Sequence, residues 1–203
     1  MIGSRIRAAV AADTDTVVEI LAQAFLDDPA SNWVIPDPDL LLEVNRRVFR
    51  VVADTALAAG HLDVDDRVTA AAVWFDIPAD TGEPTADPAD DEFARAIAEA
   101  CRPYADRALT LTRVLAEHHP GHTAHRYLPY VGVAPQAQGT GLGTELLRAR
   151  LGADGTPSYL EASSTRNHEL YRRLGFKDLR EPVTLPEGGP PLWPMWHEPR
   201  SAG

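Results

Sequence analysis

One cysteine and one lysine stand among the 203 residues, and each shortage closes off a kind of chemistry. Cys101 alone can form neither an intramolecular disulfide nor a cysteine metal cluster. Its setting in ARAIAEACRPY reads as a small core residue rather than a nucleophile. Lys177 is the only lysine among 19 basic residues, so no GxxxxGK[ST] phosphate loop with its lysine exists. No apolar run approaches the roughly 20 residues of a membrane helix, and no membrane association is expected. Positive charge is short as well: the net charge of −11 runs against a nucleic-acid surface, which needs clustered Lys and Arg, and permits a cationic ligand. The opening MIGSRIRAAVAADTD has neither a signal-like apolar core nor transit-peptide basicity, so a cytoplasmic location is expected. What remains is an ordinary globular composition, 44% hydrophobic and 24% charged, long enough for one core. Residues 1–203 are therefore read as a single domain.

Hydrophobic periodicity predicts a strand over 5–10 and a helix over 13–28, with Val17, Leu21, Ala24 and Phe25 on one stripe. Pro29, Pro36 and Pro38 mark a loop, a second helix runs from Leu41 to Ala59, and residues 61–76 read as a hairpin. Residues 77–125 read as a helical insertion, a polar proline-containing stretch followed by helices near 89–101 and 104–118. Beyond it the pattern alternates: strand 126–133, glycine loop, helix 141–152, strand 158–163, helix 167–174, then strands near 175–183 and 191–197. Such alternation predicts an α/β fold with at least one parallel strand pair.

The stretch YVGVAPQAQGTGLGTELLRARL sets Gly139, Gly141 and Gly143 between a strand and a helix. Glycines there either let the chain turn with positive φ or let a ligand approach the backbone, and a helix N-terminus suits an anion. Taken alone, the loop is compatible with a plain strand-to-helix turn. A dinucleotide fingerprint fits poorly, because Thr144 stands where its third glycine belongs and too little chain follows Glu161 to complete such a sheet. The stretch instead resembles the acyl-CoA-binding motif of the GCN5-related N-acetyltransferase (GNAT) superfamily. Gln138, Gly141 and Gly143 take its Gln/Arg, Gly and Gly/Ala positions, after Val133 and Pro135. YLEASSTRNHELYRRLGF resembles the family's next strand and its N-x-x-x-Y-x-x-x-G-F helix, at Asn167, Tyr171, Gly175 and Phe176. The likeness is strong from Tyr127 to Phe176, making 126–176 the acyl-CoA-binding core. The ending LPEGGPPLWPMWHEPR and the loop before the core are similar to antibiotic-type bacterial members such as puromycin N-acetyltransferase.

The resemblance implies a GNAT-like mixed, mostly antiparallel central sheet with a splayed parallel strand pair, flanked by helices, with the helical insertion before the cofactor-binding strand. It implies acetyl-CoA as cosubstrate and no metal. Pantetheine would lie on the backbone of Val131, Gly132 and Val133. The diphosphate would lie on Gln138, Gly139, Thr140, Gly141, Leu142, Gly143 and Thr144, with Asn167 also contributing to the cofactor site. Tyr171 becomes the proton donor to the departing thiolate, although Asn167, Leu170, Tyr171 and Leu174 also form the i, i+3, i+4, i+7 stripe of ordinary core packing. Glu161 shares a strand face with Tyr159 and Ser163, opposite Leu160 and Ala162, and is the candidate base or substrate anchor. His125 is a second candidate base; His118, His119, His122 and His125 do not have the spacing of a zinc site.

For the acceptor, Asp27, Asp28 and Trp33 on one side and Trp193, with Trp196, on the other would suit an aromatic primary amine such as an aminonucleoside. The competing reading is that the aspartates end a helix while the tryptophans fill core. The expected function is N-acetylation of a small-molecule amine. Acetylation of protein N-termini or lysines, and non-catalytic acyl-CoA binding, are the alternatives. Another short acyl group and a homodimer both stay open.

Overall fold

In the computed structural model, residues 6–59, 61–80, 91–152 and 154–199 are described; most of the proline-containing stretch read at the start of the 77–125 segment lies outside them. Strand β1 (Ile6–Ala8) leads into α1 (Thr14–Ala24), α2 (Pro29–Val34) and α3 (Pro38–Ala59). The hairpin β2 (Leu62–Asp65) and β3 (Ala70–Ile77) is followed by α4 (Glu92–Ala100) and α5 (Ala105–His118). Then come β4 (His125–Val133), α6 (Leu142–Arg150), β5 (Ser158–Ala162) and α7 (Thr165–Arg173), and finally β6 (Lys177–Asp178), β7 (Val183–Thr184) and β8 (Pro191–His197).

The strands form one sheet in the order β1-β2-β3-β4-β5-β8-β6, with β7 also on β8. Among the described residues only β4 and β5 pair in parallel. Alternation along β3 builds the layers: Ala71 and Val73 face α1 and α3 among Leu21, Phe49 and Val52, while Ala70, Ala72 and Trp74 face Leu146, Leu160 and Met195 on the other side. A third cluster joins α2 and α3 to the α4–α5 pair through Trp33, Val44, Cys101 and Ala108. The turn between β2 and β3 is held by the Asp65 carboxylate, which accepts from the backbone N–H of Thr69 at 2.6 Å and of Ala70 at 2.8 Å.

Two expectations need correction. The proline-marked loop contains a helix, α2, because Pro29 sits at its first turn and the Asp28 side chain caps it by accepting from the N–H of Ser31 at 2.8 Å. Pro38 likewise starts α3 rather than preceding it. Proline is favourable at the first helical position, where its missing N–H and fixed φ are no loss. The long strand expected over 175–183 is two short strands instead, β6 and β7. Among the described residues no helix is long and apolar enough to cross a membrane.

Candidate active site

The parallel pair β4–β5 holds register only at Arg126↔Ser158 and Tyr127↔Tyr159. Further on, β4 stays with β3 through Val131↔Ala72, Gly132↔Ala71 and Val133↔Ala70, while β5 stays with β8 through Leu160↔Met195 and Glu161↔Pro194. The two strands therefore part, and the β4 edge that faced β5 loses its ladder partner. The register of β4 against β3 shifts by one residue between Val73↔Tyr130 and Phe75↔Tyr127. Pro129, which has no N–H to give a ladder, lies in this bulge, where a proline inside a strand is tolerated. The extra residue also puts Tyr127 and Tyr130, three apart in sequence, on one face of the sheet.

Just beyond the end of β4 the chain passes Gly139 (φ 77°) and Gly141 (φ 93°) and enters α6. Both glycines occupy the left-handed region, which a side chain disfavours, and a Cβ at either would meet open space. Gly143 differs: its Cβ would touch only Val133 Cγ2 at an ordinary 3.5 Å. No side chain caps α6, so the first-turn N–H groups of Leu142, Gly143 and Thr144 have no intrahelical acceptor. The Gln138 amide donates to the Val133 carbonyl at 3.2 Å and the Thr140 hydroxyl to Ala137 at 2.6 Å, turning these side chains onto their own loop. Gly132 has a reason internal to the fold, since a Cβ there would lie 2.9 Å from Leu21 Cδ2 and 3.0 Å from Ala24 Cβ of α1. Asn167, in the first turn of α7, receives the cap of Ser164 Oγ on its N–H at 3.2 Å.

On the other side of the parting strands is a cavity of about 160 Å³, to which Glu161, Ser163, Tyr127, Tyr130 and Asp28 contribute. Glu161 and Ser163 face it while Leu160 and Ala162 join the opposite core. Burial pushes the Glu161 carboxyl up to about 7, against the opposing pull of the Tyr159 and Tyr127 hydroxyls nearby. Its Oε1 nevertheless makes no hydrogen bond of standard geometry within the described residues. Asp28 joins this group because its second carboxylate oxygen accepts from the Ser163 hydroxyl. Tyr171 is 7% exposed and packs its ring 5.8 Å from that of Phe176. Burial, reinforced by the negative Asp28, raises its pKa further above the ordinary tyrosine value. The ring thus packs as the helical stripe requires, while the hydroxyl is held protonated.

The five acceptor-site candidates do not form one surface. Asp28 lines the cavity and Asp27 is exposed outside it. Trp33 is core, with the Arg107 guanidinium 5.1 Å from its ring centroid. Trp193 lies on the opposite face of the sheet, its ring 5.7 Å from that of His168. Trp196 sits beside His125 with its indole N–H on Glu198.

His125 is 1% exposed and uses both ring nitrogens, Nδ1 on the Thr123 carbonyl at 2.7 Å and Nε2 facing His119 Nε2 at 2.9 Å. A carbonyl only accepts, so Nδ1 carries the proton and His119 donates to His125. Burial first, then the neighbouring His125, lowers His119 to about 4. Cys101 lines the cavity as a thiol, raised by burial to about 11.

Sequence reasoning passed over Tyr127, Tyr130 and the α4–α5 residues of the cavity wall. Pro129 inside an otherwise regular strand was the available signal for the first two, since the bulge it marks aligns them.

With this geometry in hand, residues 106–178 match the acetyltransferase (GNAT) domain. Over nearly its full length the chain superposes on a Corynebacterium glutamicum protein described as histone acetyltransferase HPA2 and related acetyltransferase, with TM-score 0.68, 28% identity, and 98% and 97% of the two chains covered. The fold is shared with the Drosophila melanogaster polyamine N-acetyltransferase, at TM-score 0.63 and 16% identity over 97% of this chain and 100% of that one. A mycothiol acetyltransferase of Pseudarthrobacter chlorophenolicus is 43% identical over 77 residues, which is 32% of this chain. The chain spans about a quarter, 24%, of that relative's length. Residues 106–178 thus match a GNAT acetyltransferase domain, and the chain as a whole shares the fold of solved acetyltransferases.

Proposed function

We propose that the chain transfers the acetyl group of acetyl-CoA to the amine of a small molecule. One observation carries this reading: the gap where β4 and β5 part has the uncapped N-terminus of α6 on one side and, on the other, a cavity holding Glu161 and Asp28. The β4 edge near Val131 and Val133, without a strand partner among the described residues and touched only by the Gln138 amide on the Val133 carbonyl, suits an extended amide-bearing chain, and the free N–H groups of α6 suit a diphosphate. Both are parts of coenzyme A, and no lysine or metal is needed to hold it.

Acetyl-CoA supplies an acetyl group already activated as a thioester. Glu161 takes a proton from the incoming ammonium, freeing the nitrogen lone pair. As the C–N bond forms and the C–S bond breaks, Tyr171 Oη gives its proton to the departing sulfur, and the second proton of the now cationic nitrogen passes through solvent to the tyrosinate, leaving a neutral amide and a free thiol. Asp28 beside both groups holds the cationic acceptor before deprotonation and keeps Tyr171 in its donating form.

Replacement of Tyr171 by Phe tests the assignment. Tyr171→Phe retains the packed ring, so coenzyme A affinity by calorimetry stays at the wild-type level while turnover falls by roughly 10²–10⁴. Wild-type turnover in this variant returns Tyr171 to core packing alone.

A further inference from the structure

The cavity has two chemically different walls. One, from β5 and the start of α2, presents Glu161, Ser163 and Asp28; the other, from the α4–α5 pair, presents Ile97, Cys101, Ala108, Leu111 and Leu115. Phe25, Phe49 and Val48 close it between them. Two of the other polar side chains have spent donors inside the fold: Asn45 gives its amide to the Ala22 carbonyl at 3.2 Å, and Thr112 gives its hydroxyl to Ala108 at 3.1 Å. Among the described residues no Asp, Glu, Lys or Arg lines the helical wall. A charged group placed there would lose its hydration without gaining a partner.

Size sets a second limit. At about 160 Å³, the cavity is comparable to an engineered apolar protein cavity of about 150 Å³ that takes up benzene. From the polar wall, the apolar wall and this volume, we propose that the acceptor is a primary monoamine whose body is one aromatic ring or an alkyl group of similar bulk. Its ammonium lies at Asp28 and Glu161, and its body lies against α4 and α5. This rests on the acetyl-transfer reading and adds to it that the segment between β3 and β4 is the specificity element. An aminonucleoside, with base, sugar and further substituent, exceeds the space.

The test compares n-alkylamines of increasing length, benzylamine, α,ω-diamines of matched length, an aminonucleoside and a lysine-containing peptide, on the full chain with acetyl-CoA. Calorimetric binding of benzylamine to the coenzyme A-loaded protein is measured alongside. The expected kcat/KM rises about three- to fourfold per methylene until the cavity is full, benzylamine is among the best acceptors, and each diamine falls at least tenfold below its monoamine. Ala108→Leu, which fills the cavity without adding a polar atom, shortens the preferred chain. Thr112→Glu puts a carboxylate on the helical wall and raises the diamine-to-monoamine ratio at least tenfold.

Diamines, the aminonucleoside or peptide outperforming the monoamines in the wild type, or a preference untouched by Ala108→Leu, overturns the assignment. Benzylamine that binds with the expected response to Ala108→Leu but is never acetylated leaves the cavity assignment standing and removes the acetyl-transfer reading.

Discussion

Glu161 combines a half-buried side chain, whose shielded Oε1 makes no hydrogen bond of standard geometry among the described residues, with a place on the cavity wall. Its carboxyl, raised by burial to about 7, changes protonation where a general base is most useful. A base works only when deprotonated, so kcat/KM for the acceptor should climb as pH rises through about 7 and level off above it. Glu161→Gln should lower kcat and remove that limb. A limb that persists unchanged in Glu161→Gln assigns it to another group. The residue was visible in sequence as an acidic side chain on an alternating strand, but its neighbours Tyr127 and Tyr130 were not. Strict period-two reading puts residues three apart on opposite faces, and the bulge at Pro129 cancels that rule. Asp28 and Trp33 were grouped because the resemblance puts the acceptor beside the segment joining the first two helices; Asp28, at the cap of α2, lines the cavity, whereas the indole is buried in the core, the competing reading for the tryptophans.

At the level of elements, the entry to α6 holds glycines under two different demands. Gly139 and Gly141 satisfy the turn itself through positive φ, so substitution there strains the backbone whatever binds. Gly143 has no such demand, and its Cβ would find only Val133 at van der Waals distance. Gly143→Asp should raise stability by about 0.5–1 kcal/mol, since an acidic residue replaces glycine in the first helical turn. It should at the same time weaken coenzyme A binding at least tenfold, because the new charge faces the diphosphate. Denaturant unfolding and calorimetry on the same sample read the two effects, and an unchanged affinity would make the loop a turn and nothing more. The glycine spacing was legible because the turn itself demands two of the glycines. The α2 and α3 starts were less so, since proline was read as a stop where it was a first residue.

Across the whole molecule, the layering follows from β3, an apolar run buried on both sides whose two faces supply two cores. Pairing partners are a different matter. Nothing local in SYLEA states that β5 runs beside β4 for two residues and then leaves it for β8, and this departure creates the site. Nor does the sequence of α4 and α5 reveal that their apolar stripes serve a cavity as well as a core, because both uses need the same side chains. The account stands on acetyl transfer at the point where the strands part. Incubating the chain with acetyl-CoA and benzylamine, and following free thiol and N-acetylbenzylamine together, measures that transfer directly. The two products should appear in equal amounts, with thiol release close to zero when the amine is omitted. Thiol release at the same rate with and without amine, or no acetylated product, would contradict it.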